Sequence, residues 1–203
     1  ANLSRMGSGS SCRSFFGGYV SWLKGDQPLK QQVCSRFSFE HWKLVDLIVI
    51  ISAQKKSVGS TEAHQVAKTS PLFTLRLASL NEREHKIIQA IEEKDLNTLG
   101  PILEQESLDI HSLVLSGTPR ISYLSAQTIQ FLLWLKKLRQ EKNIQAYFTI
   151  DAGPNVHLIC EPHTAETLRE QIRKDYDYQI IEDKVGRGPS LSSKDPLEDN
   201  GKL

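Results

Sequence analysis

The stretch AYFTIDAGPNVHLIC, residues 146–160, places two short runs of strand-forming residues on either side of a turn. Aromatic and aliphatic residues predict strands over 146–150 and 156–160, and the Asp-Ala-Gly-Pro-Asn sequence of 151–155 is typical of a tight connection. Two strands joined by so short a turn run in opposite directions. The sequence therefore predicts a mainly antiparallel sheet.

Further strands and helices are predicted on both sides of this hairpin. Residues 44–53 are rich in Val and Ile without alternation, which predicts a strand buried on both faces. Ser60 or Thr61 is the expected N-cap of the helix that follows. Helices are predicted over 81–93, over 96–115 with a break at Gly100-Pro101, over 122–141 and over 164–176, and a closing strand over 178–183. Strands before and after helices favour a layered α+β fold, with helices packed on one face of an antiparallel sheet.

The N-terminal region combines small polar residues with an apolar stripe. Apolar residues recur at intervals of three and four over 8–23, which predicts a helix with one buried face. Gly17 and Gly18 lie within that stripe, and we expect them to allow close packing against a neighbouring element. Residues 186–203 hold three Gly, two Pro and three Ser, so a flexible tail is expected there.

Charge and composition exclude several classes of protein. The 25 Lys and Arg against 24 Asp and Glu give a net charge of +1, so no global field attracts nucleic acid or an anionic membrane. The longest apolar run, 47–51, is far shorter than the roughly 20 residues that span a bilayer. Three cysteines without a CxxC pair favour a reducing compartment. We therefore expect a cytoplasmic protein with no nucleic-acid or membrane partner.

The first candidate site is the segment GSGSSCRS, residues 7–14. Small residues and serines at a helix entrance let backbone N–H groups approach a phosphate, and Arg13 would add a forked, permanently charged clamp. The spacing matches neither the dinucleotide GxGxxG motif nor the Walker GxxxxGK[ST] motif. A glycine-rich turn followed by a serine N-cap is the ordinary alternative.

The second candidate is Asp151, at the end of a predicted strand, where the turn through Gly153 and Pro154 would aim its carboxylate into a cleft. A plain turn residue is the alternative. If Asp151 faces Arg13, the guanidinium favours the charged carboxylate, which is then able to accept a proton from a substrate hydroxyl.

The remaining candidates carry weaker signals. Lys55-Lys56 with Ser60-Thr61 forms a basic, hydroxyl-rich stretch suited to an anion, although solvated loop charge is the alternative for the lysines. The six histidines have no metal-ligand spacing, so no protein-bound metal site is predicted. Cys12 is expected to be a small buried residue rather than a nucleophile.

Six segments resemble, in order, those of the mevalonate diphosphate decarboxylases, a family in the superfamily of galactokinase, homoserine kinase, mevalonate kinase and phosphomevalonate kinase. They are GSGSSCRSFFGGYVSW, SAQKKSVGST, TSPLF, LEQESLDIH, the Gly-Thr-Pro before residues 121–124, and YFTIDAGPNVHLI. The resemblance runs from residue 7 to about 189. It implies that residues 1–43 end an N-terminal domain that carries the Gly-Ser-Gly-Ser motif and its helix, and that 44–185 form the C-terminal α+β domain.

The resemblance also implies an activity in isoprenoid biosynthesis. Such an enzyme uses ATP and Mg²⁺ to phosphorylate the C3 hydroxyl of mevalonate 5-diphosphate, and loss of phosphate and CO₂ then gives isopentenyl diphosphate. The family's diphosphate- and carboxylate-binding segment falls on Ser8, Gly9, Ser10, Ser11 and Arg13. The acceptor for the C3 hydroxyl falls on Asp151, and a second substrate-side hydroxyl stretch falls on Ser60 and Thr61. The family resemblance further suggests a homodimer.

Some departures from the family pattern bear on the site. Ala63-His64 stands where the family commonly has Gly-Met, and some members have Arg at the position of Thr61. The family's first half, with its serine-rich ATP phosphate loop and a substrate-contacting lysine, is missing, so no residue is assigned to ATP. We expect residues 1–203 alone to be inactive. The alternatives are a sister enzyme that acts on mevalonate 5-phosphate, a kinase without decarboxylation, or a non-catalytic protein that retains the fold.

Overall fold

The computed structural model describes residues 11–23, 32–54 and 59–190. It divides the chain into two compact units, one formed by Ala1–His41 with Val185–Leu203 and the other by Trp42–Lys184. The predicted division after residue 43 lies close to the first of these limits. Of the tail predicted over 186–203, residues 186–190 belong to the first unit. Residues 191–203 lie outside the described residues.

The first unit contains a short 3₁₀ helix and a β-hairpin. The helix covers Ser11–Phe15, and strands β1 (Tyr19–Leu23) and β2 (Gln32–Phe37) pair antiparallel. The predicted helix over 8–23 is therefore wrong beyond Phe15. Gly18 adopts φ +75°, a left-handed conformation that interrupts a helix, and the aromatic and β-branched residues that follow it prefer a strand.

The two glycines before β1 meet another backbone segment of the same unit. A Cβ atom on Gly17 would lie 2.1 Å from the carbonyl oxygen of Arg187, and the Gly18 N–H donates to the carbonyl of Gly186 at 2.9 Å. Only a residue without a side chain allows so close an approach. The expected close packing at this pair is confirmed.

The second unit is built on a four-stranded antiparallel sheet. Its strands are β3 (Val45–Ile50), β4 (Ala146–Thr149), β5 (Val156–Cys160) and β6 (Gln179–Lys184). They lie in the order β4-β5-β3-β6. Its helices are α1 (Ser60–Ala67), α2 (Phe73–Glu93), α3 (Leu96–Ser116), α4 (Ala126–Lys142) and α5 (Pro162–Asp175). The predicted α+β fold is confirmed.

The core lies between one face of this sheet and helices α4 and α5. Fully buried members include Leu47, Val49, Phe131, Leu158 and Leu168. Buried and half-buried residues alternate along β3, so the prediction that this strand is buried on both faces is wrong. Alternation is the pattern of an antiparallel sheet that packs its core on one face. Within the described part of the chain, no helix combines the length and apolar character needed to cross a membrane.

Helix α3 lies along the free edge of β4. The Glu104 carboxylate accepts from the Phe148 N–H at 3.1 Å, and the Ser107 hydroxyl accepts from the Ile150 N–H at 2.9 Å. Backbone groups at the edge of a sheet need such partners when they are covered. The helix thereby fixes the position at which β4 ends.

The helix boundaries correct several expectations. Helix α3 runs through Gly100-Pro101 without the predicted break, although Pro101 lies beyond the first turn and cannot donate an intrahelical hydrogen bond. Helix α2 begins at Phe73 rather than at residue 81, and α4 begins after the N-cap Ser125 rather than at residue 122. The N-cap of α1 is Gly59, so neither Ser60 nor Thr61 caps the helix.

Candidate active site

Asp151 stands immediately beyond β4. The residue before it, Ile150, is buried in the core, whereas Asp151 itself is exposed. A strand that ends in the core and continues into a turn carries the next side chain out of the sheet at a defined point. The predicted turn after Ile150 is confirmed, and the expectation that it aims the Asp151 carboxylate into a cleft stays a prediction.

Hydroxyl groups of two helices hold the backbone around Asp151. Ser107 of α3, 2% exposed, accepts from the Ile150 N–H, and its hydroxyl also lies 3.3 Å from the Ile150 carbonyl. Thr128 of α4 is fully buried and donates to the carbonyl of Pro154 at 2.8 Å. The polypeptide is therefore tied down on both sides of Asp151.

The turn is further restricted at Asn155 and Gly153. The Ser52 N–H donates to Oδ1 of Asn155 at 3.1 Å, which links the turn to the end of β3. Gly153 adopts φ +60°, and a Cβ atom there would lie 3.0 Å from the carbonyl oxygen of Tyr123. A side chain at position 153 is disfavoured both by conformation and by space. These contacts make the turn a rigid support for an exposed carboxylate.

The imidazole of His111 lies beneath the same backbone, one helical turn beyond Ser107 on α3. It is 4% exposed, and its two ring nitrogens have no hydrogen-bond partner among the described residues. Burial lowers the pKa of His111, and the nearby backbone of Ile150 and Asp151 opposes this shift without forming a complete hydrogen bond. The His111 ring is therefore packed under the turn, where burial disfavours its charged form.

A second histidine lies beside the site on the other face of the sheet. His157 of β5 is hydrogen-bonded through Nδ1 to Oδ2 of Asp46 on β3 at 2.8 Å. This bond is the main cause that raises the pKa of His157; burial opposes it, and the charges of Asp46 and Asp151 add to it. When His157 is protonated, its imidazolium adds positive charge near the turn.

The structure brings the start of α1 close to the turn through Tyr123. Its hydroxyl donates to the carbonyl of Gly59 at 3.3 Å, and its own carbonyl is the group that abuts Gly153. Ser60 and Thr61 are exposed in the first turn of α1. Two of the segments predicted to contact substrate therefore share one region of the second unit.

Neighbouring residues of α1 point to different environments. Ala63 is buried against Val66, Val114 and Ile121, whereas His64 is exposed. The departure from the family pattern at position 63 thus lies in helix packing. The departure at position 64 lies on the surface.

Arg13 belongs to the first unit. It is exposed within the 3₁₀ helix, next to the fully buried Cys12 and the half-buried Ser11. The helix has five residues, too short to supply the helix-terminus dipole expected for anion binding. Any anion binding here depends on local N–H, hydroxyl and guanidinium groups. That Arg13 faces Asp151 remains a prediction. The other predicted anion-binding residues lie outside the described residues: Ser8, Gly9, Ser10, Lys55 and Lys56.

The thiol and metal-ligating groups do not suggest further chemistry in the described ranges. No group of three His, Cys, Asp or Glu side chains in residues 11–23, 32–54 and 59–190 is arranged to hold a metal ion. Burial raises the pKa of the Cys160 thiol to about 12. A thiol with so high a pKa is a poor nucleophile.

Sequence reasoning missed Ser107, Thr128 and His111 as parts of this site. The available signal was spacing, because Ser107 and His111 lie four residues apart on a predicted helix and therefore share a face. Which strand that face contacts depends on the tertiary structure.

Comparison with known proteins identifies the class of this α+β chain. Residues 46–200 match the family model of the mevalonate 5-diphosphate decarboxylase C-terminal domain, and residues 1–35 match that of the diphosphomevalonate decarboxylase-like N-terminal domain. The chain belongs to the mevalonate diphosphate decarboxylase family. Both the predicted family and the predicted fold are confirmed.

Individual relatives and solved structures agree with this family assignment. The diphosphomevalonate decarboxylase mvd1 of Aspergillus fumigatus is 35% identical, with 85% of this chain aligned to 44% of the relative. The mevalonate diphosphate decarboxylase of Staphylococcus aureus superposes with a TM-score of 0.84 at 29% identity, covering 92% of this chain and 57% of that one. A structure described as MDDEF in complex with MVAPP, AMPPCP and magnesium gives a TM-score of 0.84 at 30% identity, with coverages of 93% and 57%. The chain spans about half the length of the curated relatives it matches.

Proposed function

We propose that the protein containing this chain catalyses the ATP-dependent decarboxylation of mevalonate 5-diphosphate to isopentenyl diphosphate. The observation that carries the proposal is the exposed Asp151 carboxylate on a turn held by Ser107, Thr128 and Ser52, in a chain of this family. A rigidly held acceptor next to a reacting hydroxyl is what phosphoryl transfer requires, because that reaction depends chiefly on positioning and charge neutralisation.

Asp151 is the proposed acceptor for the C3 hydroxyl of the substrate. As that oxygen attacks the terminal phosphorus of ATP, its proton passes to or is held by the carboxylate, and ADP leaves. The C3 oxygen is then part of a phosphate leaving group. The electron pair of the bond to the carboxylate carbon forms the new double bond, so that CO₂ and phosphate depart without a further base.

The anionic groups of the substrate need separate partners. We assign the diphosphate and carboxylate to the hydroxyl and backbone groups of residues 8–11, with Arg13 as a bidentate donor. Ser60 and Thr61, exposed beside the Asp151 turn, are proposed to donate hydroxyl hydrogen bonds to the substrate. In this arrangement the cationic and hydroxyl groups bind, and the carboxylate acts on the reacting hydroxyl.

ATP and Mg²⁺ are the proposed co-substrate and cofactor. Magnesium bound to nucleotide phosphates neutralises their charge and needs only one or two protein carboxylates. The described residues contain no group of three side chains that could hold a metal ion, so we assign the ion to the nucleotide phosphates and keep Asp151 as the acceptor for the C3 hydroxyl. The similar structure reported above is described as a complex with MVAPP, AMPPCP and magnesium. The cytoplasmic location and the homodimer remain predictions.

The proposal is tested by measuring ADP and CO₂ together with the complete protein, ATP and Mg²⁺. Equal amounts of both products from mevalonate 5-diphosphate are expected. ADP without CO₂, or a preference for mevalonate 5-phosphate, would instead identify a sister activity. No ADP with either substrate would indicate a non-catalytic protein that retains the fold.

A further inference from the structure

We propose that Ser107 is a positioning residue for Asp151, acting through the backbone of Ile150. This inference rests on the proposed function, because it assigns Ser107 to the support of the acceptor carboxylate. Ser107 does not reach the substrate in this account. It determines where β4 ends and hence where the next side chain begins.

The Ser107 hydroxyl contacts both backbone polar groups of Ile150, and we call this pair of contacts the clamp. The Ser107 hydroxyl accepts from the Ile150 N–H at 2.9 Å and lies 3.3 Å from the Ile150 carbonyl oxygen. Both partners belong to the residue immediately before Asp151. A movement of that peptide unit would therefore change both contacts at once.

Burial gives this clamp its strength. Ser107 is 2% exposed and Ile150 is 3% exposed, so water cannot readily replace a lost bond. The Ile150 N–H is at the edge of β4 where none of the described strands offers a carbonyl. An unpaired buried N–H is costly, which makes the hydroxyl of Ser107 the determinant of the backbone position here.

The surroundings limit other positions for the same backbone. His111 packs beneath Ile150 and Asp151, and its ring contacts Tyr123 edge-on with centroids 6.3 Å apart. One helical turn toward the N-terminus, Glu104 accepts from the Phe148 N–H. Helix α3 thus presents Glu104, Ser107 and His111 in succession along the end of β4. Ser107 is the member bonded to the residue next to Asp151.

Replacement of Ser107 by Ala should lower kcat by roughly ten- to a hundredfold, the range expected when a catalytic group is misplaced by a fraction of an ångström to an ångström. KM for mevalonate 5-diphosphate should change by less than about twofold, because the assigned diphosphate-binding groups are untouched. Ser112→Ala is the matched control. Ser112 is on the same helix, is exposed and bonds only within the helix, to the carbonyl of Leu108.

A double variant separates positioning from general destabilisation. In an Asp151→Asn background, Ser107→Ala should change kcat by less than about threefold, since the charge it positions is already gone. Equal losses of kcat in both backgrounds would overturn the inference. If Ser107→Ala does not fold, Ser107→Cys fills the same space with a weakly hydrogen-bonding group and serves in the same cycle.

Amide hydrogen exchange supplies a readout that does not require activity. The Ile150 amide should exchange at least about tenfold faster in Ser107→Ala than in the wild type or in Ser112→Ala. Unchanged exchange together with wild-type kcat would overturn the inference alone. An inactive wild-type protein would overturn the proposed function, and the exchange experiment would still report whether the clamp exists.

Discussion

Replacing Gly100 by Ala tests the close packing of α3 against the Tyr147 ring of β4. Gly100 faces the ring of Tyr147, and a Cβ atom at this position would lie 2.1 Å from Cγ of that ring. Ordinary carbon contacts are about 3.6 Å, so the helix and ring must separate by roughly 1.5 Å. On helix propensity alone, the same change would stabilise the protein by about 1 kcal/mol.

The surroundings leave little freedom for that separation. The Tyr147 ring lies under the guanidinium of Arg139, 5.1 Å from its centroid, and α3 is bonded to β4 through Glu104 and Ser107. We therefore place the packing cost near the upper end of the usual range for an overpacked core, about 3 kcal/mol. After the propensity gain, the free energy of unfolding should fall by about 2 kcal/mol.

Urea denaturation of the complete protein measures this change. The matched test is a cycle with Tyr147→Ala, because removal of the ring removes the clash. In that background, Gly100→Ala should be neutral or stabilising by up to about 1 kcal/mol. A Gly100→Ala protein as stable as the wild type, or an equal loss in both backgrounds, would refute the packing argument.

Two further predictions concern charged groups. Arg13→Lys should weaken mevalonate 5-diphosphate binding by more than about tenfold in calorimetric titrations, because the single charge of a lysine cannot replace the two parallel hydrogen bonds of a guanidinium. The control is Arg36→Lys, which alters an exposed arginine bonded to the Ser21 hydroxyl. Equal affinities of the two variants for the substrate would remove Arg13 from the site. The raised pKa of His157 means that its bond to Asp46 stabilises the fold fully below the ordinary value of 6.5 and loses that effect as pH rises through the raised pKa. The melting temperature lost in His157→Gln should therefore be larger at pH 6 than at pH 8.5, and a loss that grows with pH would contradict this assignment.

The hairpin and the central strand of the second unit are predictable from sequence because local signals agree there. Strand-forming residues flank the turn after Ile150, and the structure has β4 over Ala146–Thr149 and β5 over Val156–Cys160. The segment 16–23 is wrongly predicted as helix because its apolar spacing fits a helix while its aromatic residues favour a strand. Its left-handed Gly18 and its contact with Arg187 decide between these possibilities, and that contact joins residues far apart in the chain.

The candidate site shows the same division between local and long-range information. Asp151 is recognisable because its turn residues are contiguous, and so are Ser60 and Thr61 at the start of a helix. Ser107 and Thr128 act only because their helices pack against the turn, 43 and 26 residues from their partners. No pattern within either helix specifies which backbone group its hydroxyl will meet.

The role of Asp151 as acceptor is measured with Asp151→Asn, by following ADP and CO₂ release and mevalonate 5-diphosphate binding on the same complete protein. Asp177→Asn, which changes an exposed carboxylate outside the turn, is the control. We predict substrate affinity within about threefold of the wild type and a rate lower by roughly 10²- to 10⁴-fold, because the shape is retained and the acceptor charge is lost. Turnover close to that of the wild type and of Asp177→Asn would contradict the assignment of Asp151 as the acceptor.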